Sequence, residues 1–129
     1  LIDACKELKI NDLLFLTPYV TDVSEHLIEE VNSNGIRTTV TASFDEKNEA
    51  SVARIRPTSI VDAVNELYSG QSAIFISCTN LQTFTIIEEI EKKCGCICFS
   101  SNQVLIWQML RLAEIDHNLR GYGKLLSKS

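Results

Sequence analysis

Apolar residues along the chain fall into two rhythms that take turns. Continuous runs at Leu13-Leu14-Phe15-Leu16, Ala73 to Ser77 and Cys96 to Phe99 are short and bounded by turn residues, the mark of strands buried on both faces. Ile36 to Phe44, rich in Thr and Val with Ile36, Thr38, Val40 and Ala42 on one side, reads as a more polar strand nearer a sheet edge. The first strand is expected to stop at Thr17-Pro18-Tyr19, because proline cannot donate to a ladder and restricts the residue before it.

Helical spacings lie between these runs. Leu1, Ile2, Cys5 and Leu8 open the chain, until Asn11-Asp12 breaks the pattern. Val20, Val23, Leu27, Ile28 and Val31 form the next apolar face, with Asp22 and Glu25 spaced as a capping box and Asn34-Gly35 closing the element. Asp45 to Ser51 is polar, a loop or a weak helical turn. Pro57 suits a first helical position ahead of Ile60, Val61, Val64, Leu67 and Tyr68, and Gly70 ends that stripe. Leu81, Phe84, Ile87 and Ile90 predict a helix running to Gly95, and Val104, Leu105, Trp107, Met109, Leu110 and Leu112 a last one with an unusually broad apolar surface. Gly121 to Leu126 is a turn with a short apolar anchor.

Strands alternating with helices predict an α/β fold: a four-stranded parallel sheet, order 2-1-3-4, with helices on both faces and right-handed crossovers. The 129 residues, 45% apolar and 22% charged, suit one domain. The chain opens on Leu1 within a helical pattern, so it reads as a piece of a longer protein. A net charge of −5 with scattered Lys and Arg gives no footprint for nucleic acid. No run is long and apolar enough for a bilayer and no secretory leader is visible, which predicts a cytoplasmic chain with no membrane partner. Five cysteines, an odd number, fit a reducing compartment. Cys94, Cys96 and Cys98 form a C-x-C-x-C run, but no second Cys or His cluster exists and His26 and His117 are far away in sequence, so no metal is expected.

Chemistry concentrates at the strand ends, where ligands of open α/β sheets bind. The run Ile74-Phe75-Ile76 stops at Ser77-Cys78-Thr79-Asn80, a turn expected to place the thiol at an open strand end beside the start of the next helix, whose dipole favours a thiolate. Thr17 and Tyr19, then Thr79 and Asn80, then Ser101 and Asn102 would converge on it as hydroxyl, amide and N–H donors for carboxylate oxygens. As single residues, Thr79, Asn80, Ser101 and Asn102 also suit plain helix caps, and Cys78 a buried strand terminus. Neither G-x-x-x-x-G-K-[ST] nor G-x-G-x-x-G occurs, there is no acidic cluster after the first strand, and no phosphate loop accompanies the strand-end tyrosine for a flavin.

Leu14 to Tyr19 (LFLTPY), Ile76 to Leu81 (ISCTNL), Ser100 to Gln103 (SSNQ) running on to Trp107, and Gly121 to Leu126 (GYGKLL) together resemble the C-terminal half of the aspartate/glutamate racemase superfamily. The similar branch holds maleate cis-trans isomerases, arylmalonate decarboxylase and the ectoine-utilisation racemase-like protein. The resemblance implies a two-domain enzyme working without a cofactor, built from two four-stranded halves with a site between them. It implies Cys78 as acid, base or nucleophile, Tyr19 on the substrate carboxylate, and the amides of Thr79 and Asn80 as further donors. The substrate is expected to be a small carboxylic or dicarboxylic acid; a carboxylate-binding or regulatory module without chemistry remains the alternative. The Val104 to Leu112 surface is expected to meet the absent half or another subunit, a second copy included, with the tail over 115–129 returning toward that half, and the chain alone is expected to be inactive. An interaction domain built on that surface alone is the third reading.

Overall fold

Each short apolar run becomes a strand whose alternate side chains feed two separate hydrophobic layers. The computed structural model describes residues 1–127; the last two residues of the expected tail, 128 and 129, lie outside the described part. In chain order the elements are α1 (Ile2–Glu7), β1 (Asp12–Tyr19), α2 (Thr21–Ser33), β2 (Arg37–Glu46), α3 (Glu49–Ala53), α4 (Pro57–Leu67), β3 (Ala73–Ile76), α5 (Ile87–Cys94), β4 (Ile97–Ser100), α6 (Ser101–Leu112) and α7 (Lys124–Ser127). All strand pairs are parallel and the order is β2-β1-β3-β4, as the alternation predicts.

Leu13 and Phe15 of β1 point to one face, with Phe75 and Phe99 beside them, and α1, α2, α6 and α7 cover that side through Ala4, Val31, Trp107 and Leu125. The rings of Phe15, Phe75 and Phe99 form a row across three strands, with centroids 5.3 and 5.8 Å apart. Leu14 and Leu16 point the other way with Ile74, Ile76 and Cys98, under α4 and α5. Each such fully buried side chain contributes about 1.5–3 kcal/mol, so the sheet carries the stability while its C-terminal ends are left to hold a site. β2 alternates between exposed and half-buried positions, as an edge strand does.

β1 ends at Tyr19, within the expected Thr17-Pro18-Tyr19 stop, and a register shift against β2 between Thr17 and Tyr19 removes the need for a proline N–H. Four other expectations are corrected. The Asp22–Glu25 capping box does not form: α2 starts at Thr21 after Val20, without a side-chain cap. Its inward face is Ser24, Ile28 and Val31, leaving Val23 and Leu27 exposed. The helix expected from Leu81 starts only at Ile87, since the 81–86 segment crosses the end of β4, where the Thr83 hydroxyl donates to Ser100 Oγ at 3.0 Å. Finally, α6 begins at Ser101 itself, capped by Ser100, so Ser101 and Asn102 are helical residues and not caps.

On α6, Val104 and Trp107 are buried, whereas Leu105, Met109 and Leu112 form an exposed stripe. The 121–126 segment folds onto its own chain, with Leu125 and Leu126 in the core.

Candidate active site

β1 delivers Tyr19 to the C-terminal edge of the sheet, and a local brace fixes it. The Thr17 hydroxyl, itself buried, accepts the Tyr19 N–H at 3.2 Å, so Thr17 lies beneath the site and props the strand end. Ser24 Oγ and Ser43 Oγ both donate to the Tyr19 carbonyl. The phenol packs against the layer that contains Cys78. Burial, then the hydrogen bond and charge of Cys78, then the charge of Glu49, push its pKa well above the ordinary tyrosine range. It therefore stays a protonated donor at neutral pH.

β3 delivers Cys78. The ladder continues one step past the strand, with Ser77 N–H donating to the Leu16 carbonyl at 2.8 Å, and the chain then turns sharply at Cys78 with φ of +105°. The helix that follows β3 does not start at this turn, because α5 begins only at Ile87, so the expected dipole of that helix does not reach the thiol. Its place is taken by a single amide: Asn80 N–H is aimed at Cys78 Sγ, 3.4 Å away, a donor suited to a sulfur bearing negative charge. That amide is thus directed at the cysteine and not at open space. The expected open thiol is also corrected, since Cys78 keeps only 4% of its surface, enclosed on the Tyr19 side and by Leu81.

β4 and α6 hold the turn from behind. Ser101 Oγ accepts the Cys78 N–H at 3.0 Å, and Asn102 Nδ2 donates to the Thr79 carbonyl at 3.1 Å. Asn80, exposed like Thr79, extends its side-chain amide to the Glu49 carboxylate on α3, and Gln82 Nε2 donates to the Ala53 carbonyl at 3.1 Å. The three strand ends therefore do converge, with Tyr19, Cys78, Asn80 and Ser101 at the centre and Thr17 and Asn102 as braces.

A cavity of about 310 Å³ opens beside this cluster, lined by Tyr19, Val23, Glu46, Lys47, Glu49 and Val52 among others. A larger one, about 400 Å³, lies at the C-terminal end of α6 against α1 and shares no residue with the cluster. Glu49 lies beside Tyr19 and is absent from the sequence reading of the site. Its signal was Asn48, which caps α3 by accepting the Ala50 N–H at 2.8 Å, ahead of an acidic residue in the first turn. Among the described residues no three His, Cys, Asp or Glu side chains gather as metal ligands, and no helix is long and apolar enough to cross a membrane.

The model of the arylmalonate decarboxylase family matches residues 1–126. The arylmalonate decarboxylase of Bordetella bronchiseptica is 26% identical over 132 residues, covering 99% of this chain and 55% of that protein. The maleate isomerase Iso of Pseudomonas putida S16, solved with maleate, superposes with a TM-score of 0.96 at 19% identity, covering 99% of this chain and 52% of that one. A maleate cis-trans isomerase of Nocardia farcinica, solved as a cysteine-to-serine variant with a covalently bound succinylcysteine intermediate, gives a TM-score of 0.93 at 17% identity over 98% of this chain and 52% of that one. The chain spans about half the length of the relatives it matches.

Proposed function

Because this chain belongs to the arylmalonate decarboxylase family, we propose that it supplies the cysteine half of an enzyme that isomerises, racemises or decarboxylates a small carboxylic or dicarboxylic acid at Cys78, without a cofactor. The observation that carries this is a strand-end thiol in the same packed layer as the Tyr19 phenol, with an N–H aimed at the sulfur. Chemistry next to a carboxylate passes through an enediolate, in which a second negative charge develops on the carboxylate oxygens. The Tyr19 hydroxyl would donate to one of those oxygens, and the Thr79 amide and side chain stand on the exposed rim for another. Losing a preorganised donor of this kind typically costs about 3–4 kcal/mol of barrier. Cys78 Sγ gives a proton to, or takes one from, the adjacent carbon, or adds to it as a nucleophile. The relative with a succinylcysteine intermediate supports the last of these for a cysteine in that enzyme.

Ser101 and Asn102 act in this reading through the turn, keeping the thiol aimed at Tyr19. The matched relatives are about twice as long, which supports assigning the other wall of the site to a second half, and the exposed α6 stripe of Leu105, Met109 and Leu112 to contact with that half.

Cys78→Ala in the full-length protein tests the reading. Turnover of small carboxylic acids should fall by at least about 10³-fold while binding of the same acids, followed by calorimetry, persists. Unchanged turnover would remove Cys78 from the chemistry. An inactive wild type that still binds carboxylates would favour the binding module.

A further inference from the structure

Glu49 sits at the first position of α3 and its carboxylate is held by the Asn80 side-chain amide, two residues past the thiol. It lines the same cavity as Tyr19, and the charged residues of that cavity are Glu46, Lys47 and Glu49, a negative balance. Glu46 is also the β2 partner of Tyr19, so acidic residues from two elements line the cavity that Tyr19 lines. Through space, Glu49 is one of the charges that keep the phenol protonated. From these positions we infer that Glu49 determines specificity: it selects acids that carry an ammonium or other cationic group beyond the reacting carboxylate, and disfavours dicarboxylates. This rests on the functional reading above, which places one carboxylate at Tyr19.

A second substrate carboxylate extending into the cavity would meet a like charge that is fixed in place by Asn80. An ammonium in the same position would meet an opposite one. At short range to an exposed carboxylate, such contacts change affinity by about threefold or more in each direction, so the two together separate the ligands by about tenfold. A purely structural role for Glu49, accepting from Asn80 at the front of a five-residue helix, needs the oxygen but not the charge.

Succinate and β-alanine separate these roles, because they share a carboxyethyl frame and differ only in whether the second group is a carboxylate or an ammonium. Propionate supplies the frame alone. With the full-length protein, calorimetry should show β-alanine bound at least about tenfold more tightly than succinate. Glu49→Gln, which keeps an oxygen for Asn80, should shrink that ratio about tenfold or more, and Glu49→Asp should retain most of it. A wild type that prefers succinate, or a ratio unchanged in Glu49→Gln, overturns the assignment and leaves the functional reading standing. If propionate, succinate and β-alanine all fail to bind, the carboxylate site itself is absent, and both fall.

Discussion

A residue with a Cβ at φ of +105° stores about 1–3 kcal/mol of backbone strain, and Cys78 is held there by partners on each side of it. Ser77 is tied to Leu16, the Cys78 N–H to Ser101 Oγ, and the Thr79 carbonyl to Asn102. Ser101 is the most exposed to test, since its oxygen reaches Cys78 through the backbone and not through the substrate. Ser101→Ala should destabilise the fold by about 1–3 kcal/mol, as an amide beneath the buried cysteine loses its acceptor. It should also lower kcat more than it raises KM, because the thiol loses its aim while the carboxylate donors stay. Ser101→Thr, which restores an oxygen, should recover most of kcat. Steady-state kinetics of the three proteins decides this, and equal loss in Ser101→Thr would assign the effect to packing. Cys78 itself was legible in sequence, because an apolar run that ends in Ser-Cys-Thr-Asn marks a strand end. Its enclosure was not, since that depends on Tyr19 arriving from another strand, 59 positions earlier in the chain.

Among the elements, α6 shows why a helix start can be read while the role of its first residues cannot. Ser100 and Gln103 form a reciprocal capping box: the Gln103 side chain accepts the Ser100 N–H at 2.9 Å, and Ser100 Oγ accepts from the Gln103 backbone. Moving the cap to Ser100 frees Ser101 and Asn102 to point back at the Cys78 turn. Ser100 also accepts from Thr83, and both are buried. Ser100→Ala therefore removes a cap and strands the Thr83 hydroxyl, a loss of about 2–3 kcal/mol that a urea unfolding midpoint should register. A drop under about 0.5 kcal/mol would mean that Thr83 and Gln103 find other partners. The same Thr83 contact explains why the 81–86 segment departs from the helix its spacing predicts. Leu81, Phe84, Ile87 and Ile90 recur every third residue, which suits a helix, yet Leu81 and Ile86 are buried from an irregular path that bends to reach β4. In α2 the helical spacing is legible but the inward face is rotated from the apolar row, because it includes Ser24, whose hydroxyl bonds the carbonyls of Tyr19 and Val20. The strands, by contrast, were legible in number and order, since both depend on local apolar runs and on crossover handedness.

Across the whole molecule, Glu91 joins the last third of the chain to the sheet. Its carboxylate is buried and accepts the Cys98 N–H at 3.1 Å and the Lys124 N–H at 3.1 and 3.0 Å, so one side chain links α5, β4 and the returning tail. The tail can come this close only because position 123 is glycine: with φ of +88°, an added Cβ would lie 2.4 Å from Ile87 Cγ2. Burial raises the Glu91 pKa above its ordinary 4.5, and the amides of Cys98 and Lys124 offset this only in part. Between that ordinary value and the raised one, the folded chain binds more protons than the unfolded chain. Its contribution is then full below the ordinary value and is lost as pH rises through the folded value. Subtracting urea midpoints of Glu91→Gln from those of the wild type at each pH isolates the effect of Glu91 ionisation, since the amide cannot titrate. The difference should decline as pH climbs through the window above 4.5 and level off beyond it. A difference that grows with pH would mean that the two backbone amides outweigh burial, and that the tail is held by a charge the fold favours and not by one it merely tolerates.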